Sequence, residues 1–309
     1  MNRYMKILKK PSLLFATFGH RGFFNWMNDK QYLKLLYKIR TGQKLNLENP
    51  QTFNEKLQWL KLHDRRPEYT VMVDKYAVKK YVADEIGEQY IIPTLGVWER
   101  FDDIDFDKLP DQFVLKCTHD SGGLIICRDK SKLDFKAVKK KINRCLKHNY
   151  FWGCREWPYK NVKPRIIAES YMKCSDSPFL KDYKFFCFNG KVKFLYLSEG
   201  LENHNIARIS YVTLDWKQAD FYREDYKTFN KMPPKPINFD KMIKFAEIFS
   251  KDIPFLRVDF YEVNGKIYFG ELTFYTGSGF TKFEPENADI KIGNLLKLPD
   301  KRLSYEKKN

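Results

Sequence analysis

Residues 256–279 read LRVDFYEVNGKIYFGELTFYTGSG. Two strand-like runs, Phe255–Val263 and Lys266–Thr273, flank Asn264-Gly265, and Asn-Gly between such runs is a strong hairpin signal. The runs carry Arg257, Asp259, Glu271 and Thr273, and a glycine-rich loop follows. Two carboxylates and a hydroxyl are hard oxygen ligands, suited to a Mg²⁺ that also holds the phosphates of ATP. The guanidinium of Arg257 can neutralise a transferring phosphoryl group or a developing oxyanion. Hairpin geometry constrains this reading. Side chains alternate along a strand, and directly opposed residues share a face. A two-residue turn at Asn264-Gly265 pairs Asp259 with Gly270 and sends Glu271 to the other face. A shared ion therefore requires an odd-length loop or a bulge, which also brings Arg257 and Thr273 onto that face.

Working outward, Asn189-Gly190 predicts a second hairpin, joining Tyr183–Phe188 to Lys191–Leu197. Asp111–Cys117 and Leu124–Cys127 read as strands around the turn cluster Thr118–Gly123, and Arg165–Met172 as another strand. Tyr90–Val97 suits a strand and turn broken by Pro93. Helical spacing marks residues 31–40, with Tyr32, Leu35, Leu36 and Ile39 inward and Gly42 as the stop. It also marks Phe53–Leu62, residues 73–86 entered near Asp74, the basic stretch 134–148, and Lys241–Ser250. Helices that alternate with tightly paired antiparallel strands predict an α+β or mixed α/β fold, not a parallel Rossmann sheet. Neither G-x-G-x-x-G nor G-x-x-x-x-G-K-[ST] occurs.

The 309 residues are 43% hydrophobic and 17% aromatic, which excludes disordered and collagen-like chains and suggests about two domains. No apolar run approaches the roughly 18 residues of a transmembrane helix. The net charge of +17 is concentrated in residues 1–50 and 136–163, a field that favours anionic partners. Lys6, Lys9 and Lys10 precede Leu13–Phe18, a run too short for a signal peptide. The six scattered cysteines contain no C-x-x-C. Cys117 and His119 alone have metal-pair spacing, so zinc is not expected and free thiols in a reducing cytosol are.

Lys116 ends a strand before Thr118–Gly123, where backbone N–H groups can cradle phosphate oxygens. Glu169 sits in an apolar strand, where its carboxylate needs a donor such as a ribose hydroxyl or an adenine amine. The order of Asp74-Lys75, Lys116 before a glycine loop, Glu169, R-x-D and E-x-T-x₃-G-x-G resembles the ATP-grasp fold. LNLENPQTFNEKLQWLKL, DKYAVKKYV, IIPTLGVWE, VLKCTHDSGG and DYKFFCFNGK are similar to its TupA-like branch, found among bacterial surface-polysaccharide biosynthesis proteins, over about residues 40–285.

The resemblance implies two α/β lobes with antiparallel sheets that grip ATP. It divides the chain into a basic helical segment (1–50), an N-terminal lobe (51–110), a small subdomain with the phosphate loop (111–172) and a C-terminal subdomain with the metal site (173–309). Lys75 and Lys116 would contact the ATP phosphates, and Ser121, Gly122 and Gly123 would close over them. Glu169, Tyr171 and Met172 would hold adenine and ribose. Lys184 would be a further basic contact, Asp259, Glu271 and Thr273 would bind Mg²⁺, and Arg257 would face the transfer centre. Many ATP-grasp enzymes have Asn where Thr273 stands. The implied activity is ADP-forming ligation through an acyl phosphate, joining an amine to a sugar acid in capsule or cell-wall polymer synthesis in the cytoplasm.

Two other classes compete. A glycosyltransferase would use D-x-D at Asp103–Asp105. A nucleic-acid binder would stack bases on Tyr150, Phe151, Trp152, Trp157 and Tyr159, although a sugar-polymer groove or plain surface is favoured there. Leu13–Met27, with Arg21, reads as core packing or as a peripheral contact with anionic lipid.

Overall fold

The computed structural model describes residues 11–175 and 179–300. Lys6, Lys9 and Lys10 lie outside them, as does the C-terminal end of the 173–309 subdomain. Two antiparallel sheets face each other. The smaller has the order β1-β4-β2-β3, from β1 (Thr94–Trp98), β2 (Phe113–Cys117), β3 (Leu124–Cys127) and β4 (Ile166–Ser170). The larger has the order β10-β9-β5-β6-β7, from β5 (Asp182–Phe188), β6 (Lys191–Glu199), β7 (Arg208–Val212), β9 (Phe255–Val263) and β10 (Lys266–Thr273). A short pair, β8 (Tyr222–Arg223) and β11 (Phe283–Glu284), lies apart. The fold is α+β.

Both Asn-Gly turns are two-residue hairpins. Asn189 and Gly190 have φ of 49° and 79°, and Asn264 and Gly265 have 51° and 75°, the left-handed values a type I′ turn requires. The odd residue sits inside β10. Val263 pairs with Lys266 and Phe260 with Phe269, but Asp259 pairs with Glu271, so Gly270 is a bulge. It puts the two carboxylates on one face, and Arg257 opposite Thr273 on the same face.

The helices follow from local chemistry. α1 spans Pro11–His20, and α2 (Asp29–Thr41) ends at Gly42 in the left-handed conformation. The buried stripe of α2 is Tyr32, Leu33, Leu36 and Tyr37, with Leu35 turned to solvent. α3 (Phe53–His63) opens with a Thr52–Glu55 capping box. The stretch expected as one helix over 73–86 is two, α4 (Glu68–Val73) and α5 (Ala77–Ile86). Asp74 is extended between them. Its Oδ1 accepts from Tyr76 and Ala77 N–H, and its Oδ2 accepts from Arg165 at 2.6 Å. This break leaves Lys75 on a loop instead of a helix face.

The large sheet, α3–α5, α8 (Phe239–Phe249) and α9 (Ala288–Leu295) share one core. α6 (Phe135–Leu146) covers the small sheet and makes a second. The expected 51–110 lobe is not separate: its helices pack into the large-sheet core, while its one strand, β1, joins the small sheet. A chain segment with a single strand cannot satisfy that strand's ladder alone, so it borrows β4. In the aromatic stretch Phe151–Tyr159, which opens with α7 (Phe151–Cys154), Trp152, Trp157 and Tyr159 are half-buried. Phe151, Cys154, Arg155, Glu156 and Pro158 are buried, and Arg155 lies over the Tyr32 ring at 4.1 Å. Leu13–Met27 divides: Phe15, Phe24 and Met27 pack around Tyr32, Leu36 and Cys154, while Phe23 and Trp26 are exposed.

Candidate active site between the two sheets

Two neighbouring cavities lie between the sheets, of about 530 and 330 Å³. They share Ile92, Lys116, Leu124, Glu169, Asp182, Leu201 and Tyr261. The larger has apolar walls, Val114, Ile126, Met172, Phe179 and Leu180, together with Tyr171 and the backbone of residues 170–174. An aromatic heterocycle suits such a slot. Arg128 sits over the Tyr171 ring at 5.9 Å. The smaller cavity carries the cationic groups: Lys75, Lys79, Lys116 and Lys184 line it together with Ser121, Gly123, Asp120 and Glu271.

Glu169 is the hinge between them. Its Oε1 accepts from Lys79 at 2.6 Å and its Oε2 from Lys116 at 2.5 Å, both from a carboxylate only 5% exposed. Burial pushes its pKa up, but the two lysines outweigh this and hold it below the ordinary glutamate value. Lys79 also donates to Ile92 O and Thr94 Oγ1. The sequence singled out Glu169 and Lys116 but missed Lys79, although DKYAVKK places it one helical turn past Lys75.

The loop Thr118–Gly123 is closed by Cys117 N–H to Gly123 O and by Gly123 N–H to Asp120 Oδ1, both 2.9 Å. A Cβ on Gly123 would lie 2.6 Å from Cys117 Sγ, so glycine is required there. Lys75 donates through Nζ to Asp120 O and through its backbone N–H to Thr118 O. Ser121 Oγ donates to the Tyr150 hydroxyl at 3.3 Å. Gly122 is open: a Cβ there would meet only Asp120 Oδ2, at 3.9 Å.

Glu271 lines the smaller cavity, whereas Arg257 and Asp259 lie buried beside it and line neither cavity; Arg257 Nη2 is 2.7 Å from both Asp259 Oδ2 and Glu271 Oε1, and its Nε is 2.7 Å from Asp259 Oδ1. Lys184 donates to Asp259 Oδ2 at 2.7 Å and to Asp182. Asp259 is 1% exposed, whereas the Glu271 side chain is 40% exposed. Burial raises the Glu271 pKa, but Arg257, Lys184, Lys75 and Lys116 overcome it and bring it down to about 2. Two carboxylate oxygens 2.7 Å from one guanidinium nitrogen converge on a single cationic point. This donor set fits a hard divalent cation once the guanidinium turns aside. Arg257 Nη1 reaches Thr276 Oγ1 at 3.3 Å, so the hydroxyl partnered with Arg257 is Thr276, from the glycine-rich loop. Thr273 lines neither cavity. Asp103–Asp105 also lines neither; Asp105 pairs with Lys108 in a surface turn.

Two antiparallel sheets closing on a split apolar and cationic crevice, with R-x-D facing E-x-T across a bulged hairpin, define an ATP-grasp protein. The model of the family described as TupA-like ATPgrasp matches residues 55–297, and the chain belongs to that family. No curated protein matches. Similar solved structures include D-alanine–D-alanine ligase from Bacillus anthracis complexed with ATP, at 17% identity, 66% of this chain, 54% of that one and TM-score 0.38. The Helicobacter pylori D-alanine–D-alanine ligase has 13% identity over 74% of this chain and 62% of that one, TM-score 0.38. D-cycloserine synthetase DcsG has 15% identity over 73% and 69%, TM-score 0.39. The chain thus spans about half the length of the B. anthracis ligase. No helix among the described residues is long and apolar enough to cross a membrane.

Proposed function

We propose that this protein is an ATP- and Mg²⁺-dependent carboxylate ligase that joins an amine to a sugar acid in bacterial surface-polysaccharide synthesis. The observation that carries the reading is the convergence of Lys75, Lys116, Lys184 and Glu271 on the smaller cavity, continuous with the apolar slot. The slot takes adenine between Tyr171, Met172 and Ile126. Asp182 lines both cavities and its buried Oδ1 lacks a hydrogen-bond partner, which a ribose hydroxyl would satisfy. Lys75 and Lys116 neutralise the phosphates, and Ser121–Gly123 cover them.

Asp259 and Glu271 would hold Mg²⁺, which supplies charge neutralisation to the phosphates. A substrate carboxylate oxygen attacks the γ-phosphorus as the bond to the β-phosphate oxygen breaks, giving an acyl phosphate and ADP. Arg257, freed toward Thr276, faces the charge that develops on the transferred group. The amine nitrogen then attacks the acyl carbon, phosphate leaves, and the nitrogen loses its proton. Exposed Phe23 and Trp26 beside Arg21 are the residues through which contact with an anionic lipid surface would run.

Product analysis with sugar acids, candidate amines and hydroxylamine tests this reading. ADP, phosphate and a hydroxamate are expected. AMP with pyrophosphate, or release of UDP from a nucleotide sugar without ATP consumption, overturns it.

A further inference from the structure

Beneath the phosphate loop the fold gathers three side chains that no part of the ligase reading uses. Cys117 ends β2, Asp120 lies in the loop, and Cys145 stands in the last turn of α6. Their two sulfurs and a carboxylate oxygen all lie within 4.8 Å of one another, and all three residues are buried. Cys117 and Asp120 line the smaller cavity, so the cluster opens onto it. His119 is turned away: its Nε2 lies 3.1 Å from Cys145 O and 3.0 Å from His148 O, pinning the end of α6 to the loop. His119 is thus outside the cluster, and Cys117 is joined instead by Asp120 and by Cys145, 28 positions on.

We infer that Cys117, Asp120 and Cys145 form a site for a thiophilic divalent cation such as Zn²⁺, at the floor of the phosphate cavity. Two sulfurs and one carboxylate are a borderline-soft set that selects Zn²⁺, whereas Asp259 and Glu271 offer oxygen alone and select Mg²⁺. In a tetrahedral zinc site, sulfurs at about 2.3 Å from the ion are roughly 3.8 Å apart. The observed spacing needs a contraction of about 1 Å or less. Three protein ligands leave the fourth position toward the cavity, where water or a phosphate oxygen completes the shell. Asp120 Oδ1 also accepts from Gly123 N–H, so a metal held by this carboxylate is tied to the Thr118–Gly123 turn. Each thiol gives up its proton to solvent as its sulfur binds.

The test uses reduced, metal-stripped, full-length protein with excess Mg²⁺ and no nucleotide, so its failure leaves the ligase reading untouched. Titration with Co²⁺ should give a thiolate charge-transfer band and tetrahedral visible bands that saturate at about one equivalent and bleach on adding Zn²⁺. In weak buffer, Zn²⁺ should release about two protons. Cys117→Ser, Cys145→Ser and Asp120→Asn should each weaken Zn²⁺ binding by about tenfold or more, while Cys127→Ser should not. Should the variants fail to fold, alkylation of the wild-type protein decides: Zn²⁺ should shield Cys117 and Cys145 but not Cys127. Absent bands, bands that survive both serine substitutions, equal alkylation with and without Zn²⁺, or a Cys117–Cys145 disulfide under reducing conditions overturn the inference.

Discussion

Replacing Glu169 tests whether the two cavities are electrostatically joined as described. Glu169→Ala removes the carboxylate that Lys79 and Lys116 share. Removing one member of a buried ion pair typically costs about 3–5 kcal/mol, because the remaining charge stays desolvated. Here both cations have alternatives. Lys79 retains Ile92 O and Thr94 Oγ1, and the Lys116 side chain, 23% exposed, can turn into the cavity. The expected loss is therefore near the lower end, about 3 kcal/mol. Glu169→Gln keeps the shape and an acceptor and should lose roughly half as much. Urea unfolding at pH 7, with an unchanged m-value, measures both. Nucleotide affinity should fall too, because Lys116 is no longer held at the junction. Crossing Glu169→Ala with Lys116→Ala should show a coupling of about 1 kcal/mol or more. A loss below about 0.5 kcal/mol with unaltered nucleotide affinity would refute the reasoning.

Lys116→Ala alone should weaken ATP binding and slow turnover without unfolding the protein, since Glu169 keeps Lys79; isothermal titration and a coupled ADP assay check this. Glu169 and Glu271 have pKa values held below the usual carboxylate range. Their stabilisation is therefore complete above about pH 4.5 and is lost as pH falls toward 2, which acid unfolding of wild type against Glu271→Gln reads. Burial brings Lys61 down to about 8, so between pH 8 and 10.5 the unfolded chain binds the extra proton and stability rises with pH. The rise is up to about 3 kcal/mol, and it should be absent from Lys61→Met, so the difference between wild type and variant isolates it.

What the sequence made legible is what neighbouring residues decide. The helix beginning at Phe53, the Gly42 stop and both Asn-Gly turns are settled within a few residues, and they stand where the sequence put them. Chemistry-bearing strands were legible for the same reason, since a charged residue inside an apolar strand needs a reason to be there. Contacts between distant segments were not. Lys79 meets Glu169 from 90 positions away, Ser278 Oγ donates to the buried Glu156, and Cys145 reaches Cys117 only because α6 folds back on the small sheet. No local pattern encodes those pairings; packing of the two cores does.

The bulge lies between these limits. Requiring Asp259 and Glu271 to share a face forces one odd residue into the hairpin, but strand alternation cannot say whether it sits in the loop or in the ladder. The type I′ turn answers the first half: with positive φ at both Asn264 and Gly265 the two-residue loop is already satisfied, so the extra residue must be accommodated elsewhere. Gly270 answers the second. A Cβ there would lie 3.1 Å from Asp259 O and 3.2 Å from Tyr261 Cε2, tighter than ordinary contact, so the strand can fold inward at this point only where no side chain intervenes. Gly270→Ala should therefore leave the fold intact but press on Asp259, the carboxylate it abuts. Its mark would be a larger loss in turnover at limiting Mg²⁺ than in melting temperature. Equal losses at limiting and saturating Mg²⁺ would mean that Gly270 serves the sheet and not the site.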